Sequence, residues 1–250
     1  LLGQHLGVPV WHLLGGKLVD KVLIDYWMGR CTPEATAERT RIAVDSGFHG
    51  VKMKCALGDP IAERVRAVRD VAPSFSVVLD PNERFEDPEG ALLVSKSLED
   101  FDEVLFESPV PQDRIDWYVQ LRREIPQKIA LHLTSIHHLL PALKADAAHA
   151  YNLLGPLKPF VDWATLCRQA GCPTWRGTGM DLGVRDMSSV HAAAAAGCTL
   201  PSDIIGHLLR EDDLLEKPIQ FEDGALVVPD LPGLGIRLDR EALERYRVPD

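Results

Sequence analysis

Four ionisable residues recur at one register along the chain. Lys52 and Lys54 flank Met53, Asp80 follows 26 residues after Lys54, and Glu107 follows 27 residues after Asp80. Each group closes a short strand-like run: GVKMK (50–54), SVVLD (76–80) and EVLFE (103–107). Alternation along a strand puts both lysines on one side and Met53 on the other. A single Lys or Asp at a strand end is usually a solvated loop residue or half of a rim ion pair. Two lysines and two carboxylates repeated at one interval point instead to a shared site. Two hard oxygen ligands suit Mg²⁺ or another divalent ion such as Mn²⁺, which keeps positions for water and substrate. Such an ion polarises a substrate carboxylate and stabilises the enediolate left when the α-proton is removed. The Lys-x-Lys pair offers one lysine as base and a second that lowers its pKa or binds the carboxylate.

Positioning these groups requires a repeated unit. Strand-like runs KVLIDYW (21–27), GVKMK, SVVLD, EVLFE, KIALHL (128–133), AHAYNLL (148–154), PTWRG (173–177) and, weakly, DIIG (203–206) alternate with helical patterns. The helix after the first run has Thr32 as N-cap, Pro33 in its first turn and Gly47 as its stop. DPIAERVRAVRDV and DPEGALLVSKSLED open in the same Asp-Pro manner. About eight such units predict a parallel α/β barrel with its chemistry at the C-terminal strand ends. An open doubly wound sheet fits less well, because no GxGxxG follows the first strand. After about residue 207 the chain changes character, and two short strands about a Gly-rich turn and a short helix are expected. The opening LLGQHLGVPVWHLLGG reads as part of a helix, so residues 1–20 are expected to lead in from a preceding segment.

Composition narrows the function classes. The 250 residues carry 27 Lys and Arg against 37 Asp and Glu, a net charge of −10, which disfavours nucleic acid and anionic membrane as partners. No apolar run reaches the roughly 18 residues of a membrane helix. Five scattered cysteines without a CxxC pair argue against a disulfide framework or thiolate zinc site, and a cytoplasmic setting is expected.

The set VKMK (51–54), VVLDPNERF (77–85), VLFESPV (104–110) and VPDLPGLGIRLD (228–239) resembles the mandelate racemase and muconate lactonizing branch of the enolase superfamily. GQHLGVPVWHLLGG (3–16) resembles the helix that enters its barrel. The resemblance implies a modified TIM barrel of seven βα units plus a final strand, here spanning 21–207, with a return segment at 208–250 and a capping domain before it. It also implies a small carboxylate substrate, a homo-oligomer and a Lys or His base working with Mg²⁺. Residue by residue, it makes Asp80 and Glu107 metal ligands, Lys54 the base, Lys52 its neighbour and Asn82 a substrate contact.

Two departures follow. One further interval from Glu107 ends at Thr134, where the resemblance implies a third acidic ligand. The stretch holds His132, Leu133 and Thr134, so a glutamate introduced at position 133 is expected to restore a ligand. His132 is either a substitute ligand, better matched to softer metals, or a hydrogen-bonded barrel histidine. The run Tyr151-Asn152-Leu153-Leu154 lacks the lysine usual in the lactonizing branch. WRGTGMDLG supplies Arg176, a candidate clamp for an anionic substrate, and Asp181, a catalytic candidate or a helix-start residue. His191 reads as helix packing, and His137 and His138 as surface residues. The expected activity is metal-assisted removal of an α-proton, with acid-sugar dehydration leading because no second base faces the pair. The alternative is a barrel that has lost catalysis and binds a ligand or serves a structural role.

Overall fold

The computed structural model describes residues 1–177 and 181–248, the side chains at 207 and 208 excepted. Its centre is a seven-stranded parallel sheet, β2 to β8 in chain order. The strands are β2 (Tyr26–Met28), β3 (Gly50–Lys54), β4 (Ser76–Asp80), β5 (Val104–Glu107), β6 (Lys128–Leu133), β7 (Ala150–Leu153) and β8 (Thr174–Arg176). Met53, Leu79, Phe106, Leu131, Leu133 and Leu153 point outward into the main apolar core against the helices. The alternate residues face the barrel axis. Burial on both faces explains why these runs are β-branched and nearly continuous in hydrophobicity.

The run at 21–27 forms two elements rather than one strand. β1 (Lys21–Leu23) pairs antiparallel with β10 (Ala225–Val227), which pairs with β9 (Phe221–Glu222), and only β2 enters the barrel sheet. The expected return hairpin thus exists and captures the first half of the first run. The eighth run, 203–206, forms no strand, and a single bridge, Ile24 to Ser202, stands just before it. Ser202 N–H bonds Leu23 O at 2.7 Å and Asp203 N–H bonds Arg176 O at 2.9 Å, so this segment closes the gap between β8 and the start of the sheet.

The helix Pro33–Asp45 has the anticipated cap, Thr32 Oγ1 accepting from Ala35 N–H at 3.3 Å. Asp87 caps Pro88–Ser97 by accepting from Gly90 N–H at 2.9 Å. Asp59 does not cap the helix Ile61–Val71. Arg30 takes its carboxylate in a two-point ion pair at 2.6 and 2.8 Å, a stronger partner than an exposed amide. His191 packs as expected within the helix Gly183–Ala196, where Nδ1 accepts from Trp11 N–H at 3.2 Å. Residues 1–20 and the return segment touch directly, through Val10 N–H to Gly233 O at 2.8 Å and Trp11 Nε1–H to Pro229 O at 3.0 Å.

Candidate active site

Register brings the ionisable groups together. Lys54 lies opposite Asp80 across β3 and β4, Glu107 opposite Ala130, and His132 opposite Asn152. The inward faces of five adjacent strands thereby deliver Lys52, Lys54, Asp80, Glu107, His132 and Asn152 to one end of the barrel. Arg64, itself buried, donates to Lys54 O at 2.8 Å and to Gly29 O at 3.0 Å, tying the end of β3 to the loop after β2. Asn82 and Ser108 adopt left-handed backbone with φ of 48° and 46°, turning each chain sharply at the barrel mouth. Ser108 Oγ then accepts from His132 N–H at 3.1 Å.

At the centre sits Lys52. Its ammonium lies 2.8 Å from Glu107, 2.8 Å from Asp203 and 3.2 Å from Asp80, and the side chain is 7% exposed. Burial works to discharge the ammonium, but the three carboxylates outweigh it and hold its pKa well above the ordinary value. Lys52 is therefore held as an ammonium by its three carboxylates. Asp80 is pulled below the usual carboxylate range because Lys52 and Lys54 overcome its burial. Glu107, fully buried and close to Asp80 and Asp203, is pushed up to about 7, chiefly by desolvation. One ammonium among three carboxylates leaves one of them under-compensated, and Glu107 is the most buried.

Lys54 has a different environment. It is one-quarter exposed and donates to Asp80 Oδ2 at 2.5 Å and to Asn82 Oδ1 at 2.7 Å, with Asn82 N–H in turn on Asp80 Oδ1 at 3.1 Å. Of the two lysines it is the one that meets the open mouth. Asp80 contacts both ammonium groups, at 3.2 Å from Lys52 and 2.5 Å from Lys54.

Two residues with clear roles in the cluster escape sequence reasoning. Asp203 binds Lys52, and Asn152 Nδ2 bridges Glu107 and Asp203 at 2.9 Å each. The signal for Asp203 is weak, an acid opening the faintest strand-like run. Asn152 occupies the run inspected only for a missing lysine.

Other expectations are corrected. His132, not Leu133, faces inward: its Nδ1 is 3.7 Å from Glu107, whereas Leu133 is buried in the outer core. A glutamate at 133 would enter the apolar layer and provide no ligand. Burial, with the Lys52 charge adding, keeps the His132 pKa low and the imidazole neutral. Arg176 does not reach the mouth. Trp175 takes the inward position, and Arg176 stacks on Phe160 at 4.5 Å with Nε 3.5 Å from Ser189, both on helices. Burial lowers its pKa to about 10. Asp181 stands just before the helix Gly183–Ala196 and pairs with Arg185 at 3.1 Å; Leu182, not Asp181, is the N-cap. Positions 178–180 of that motif lie outside the described residues.

The carboxylate pair can be weighed against a divalent ion. Asp80 and Glu107 meet the minimum of one or two carboxylates that Mg²⁺ requires when water and substrate complete its shell. Among the described residues, the buried Nε2 of His132 and Oδ1 of Asn152 have no hydrogen-bond partner, and both lie near Gly177, where an added Cβ would meet them. Among the described residues, no three His, Cys, Asp or Glu are grouped as metal ligands.

Residues 35–242 match the enolase C-terminal domain-like family over most of the chain. The chain belongs to the enolase C-terminal domain-like family. This enolase-like barrel is 27% identical to muconate cycloisomerase 1 of Rhodococcus opacus, aligned over 97% of the chain and 68% of the relative. It is 27% identical to N-succinylamino acid racemase of Thermus thermophilus, over 98% and 68%. A mandelate racemase/muconate lactonizing family protein from Azoarcus sp. EbN1 superposes with a TM-score of 0.89 at 29% identity, covering 100% of this chain and 71% of that one. The N-succinyl Arg/Lys racemase of Bacillus cereus shares the fold with a TM-score of 0.91 at 23% identity, covering 99% and 69%. The expected modified TIM barrel and isomerase-type enzyme of the enolase superfamily both hold. Enzymes of this superfamily generally use Mg²⁺. No helix among the described residues is long and apolar enough to cross a membrane.

Proposed function

We propose that this barrel removes the α-proton of a small carboxylate, with Lys54 as the base. The observation that carries the reading is the position of Lys54 Nζ at the open mouth, on the strand next to Asp80 and two strands from Glu107. Asp80 and Glu107 are the residues that would hold Mg²⁺, which when bound neutralises charge developing on the substrate carboxylate. The chain's own groups do the rest. Lys54 accepts the α-proton as a neutral amine, having first released its own proton to solvent at the open mouth and given up its hydrogen bond to Asp80. Asn82 Oδ1 orients the lysine, and Lys52 maintains the charge balance beneath. β7 ends at Leu153 and is followed by Leu154, so it brings no ammonium to the opposite side. A single base favours elimination, as in acid-sugar dehydration, or cycloisomerisation over two-base racemisation. The substrate class, a homo-oligomeric state and a cytoplasmic setting belong to this proposal.

The test is solvent deuterium exchange at the α-carbon, followed by NMR with Mg²⁺ or Mn²⁺ over acid sugars, muconate and N-succinylamino acids. Exchange or turnover with one class is expected. Solvent deuterium in the inverted product, with recovered substrate unlabelled, would point to a second base, and silence across the panel would support a non-catalytic barrel.

Metal affinity gives an independent check. His132→Asp is expected to tighten Mg²⁺ binding at least about tenfold by calorimetry, because it adds a negative charge beside Glu107. If parent and variant bind equally tightly, a ligand other than position 132 completes the site.

A further inference from the structure

The lower half of the barrel is hollow. A cavity of about 670 Å³ opens at the N-terminal strand ends, past Ser76, Lys128, His149 and Pro173, and its ceiling is Lys52, Glu107 and Asp203. TIM-barrel interiors are ordinarily filled by layers of branched side chains. Here three inward positions are Gly50, Ala130 and Ala150, too small to fill the space. Leu105, Trp175 and Leu200 supply apolar wall.

Into this space projects Asp25, 7% exposed, from the link between β1 and β2. Its Oδ1 lies against the backbone of Gly50, where any Cβ would collide with it and with Ser76 Oγ. Among the described residues nothing donates a hydrogen bond to Asp25 or forms an ion pair with it. The Lys52 ammonium is engaged by three other carboxylates. The rim adds Glu99, Asp102 and Glu103 against Lys128.

We propose that this cavity binds a small organic ammonium with an apolar body, its charge on Asp25 and its body against Trp175. A buried carboxylate without a partner is costly, and a cation removes that cost. An indole ring gives the apolar body a broad contact surface. Acidic residues at the entrance raise the local concentration of cations. Volume and lining match ordinary ligand sites, apolar walls with a few placed polar groups. The site is separate from the Lys54 mouth, and its ceiling is the underside of the catalytic cluster. Burial and the nearby Asp203 push the Asp25 carboxyl up to about 7, outweighing the attraction of Lys52.

The probe is phenethylammonium, titrated by calorimetry into the protein, with 3-phenylpropionate as the anionic control. Saturable binding of the amine alone is expected. Asp25→Asn should weaken it about tenfold or more, Ala150→Phe should abolish it by filling the cavity, and Lys54→Ala should leave it unchanged. Should Ala150→Phe fail to fold, Leu200→Trp at the cavity edge serves instead. Asp25→Asn itself should melt higher than the parent at pH 8, since it removes an uncompensated charge. Absence of saturable binding, equal binding of the anion, or full affinity in Asp25→Asn would overturn the proposal.

Discussion

Lys52→Met is expected to melt about 10 °C below the parent chain at pH 8. Removing one partner from a buried ion pair costs about 3–5 kcal/mol, and in a domain of this size each kcal/mol moves Tm by about 2–4 °C. The effect is large because the ammonium is nearly inaccessible and serves Asp80, Glu107 and Asp203 together. Methionine fills the volume and leaves three carboxylates facing one another. The pH dependence has a definite sign. Lys52 has a folded pKa above its ordinary value of 10.5, so its contribution is complete at neutral pH and fades only above that value. Asp80 has a folded pKa below its ordinary 3.8, so its contribution is present above that value and lost in acid. In the variant, carboxylates freed of the ammonium take up protons as pH falls. The deficit should therefore shrink between pH 8 and pH 5.5. Thermal melts at both values check this, and a pH-independent or negligible deficit would show that Lys52 is not the charge holding the cluster.

Lys54→Ala is expected to lower α-proton exchange by about 10²–10⁴-fold while changing Tm little. The two lysines stand two residues apart on one strand face, but their surroundings divide the roles. Lys52 is enclosed by carboxylates, whereas Lys54 is one-quarter exposed and its contacts with Asp80 and Asn82 lie at the mouth. A partly exposed ion pair contributes about 0–1 kcal/mol, so stability survives its loss. Lys54→Arg should be equally inactive, since a guanidinium keeps the charge and does not give up its proton near neutral pH. The measurement is deuterium exchange on whichever carboxylate the panel identifies, with circular dichroism as the fold control. Exchange that persists in both variants would move the base elsewhere in the barrel.

What could be read directly from the chain was whatever depends on local alternation and on a repeated unit. Lys52 and Lys54 share a face because a strand has period two, and Asp80 and Glu107 join them because each ends the next parallel strand. The barrel and its return hairpin were legible for the same reason. Counting by a fixed interval failed at β6, because the loops differ in length. Glu107 pairs with Ala130, 23 positions on, and the inward residue above it is His132. Arg176 was misplaced by ignoring its neighbour, since Trp175 takes the inward position and leaves Arg176 to the helices.

Other features had no local signal. Residues 21–27 split because a strand some two hundred positions later, β10, captures Lys21–Leu23, and the break aims Asp25 into the barrel. Asp203 meets Lys52 across 151 positions and Asn152 across 51, contacts made only when the last segment closes the sheet. The sequence by itself thus determined which chemistry-bearing residues end the central strands. Tertiary closure alone decided which of them is locked as a buried cation, which remains accessible, and that the space beneath them is left open, because burial and charge balance depend on neighbours that no local pattern contains.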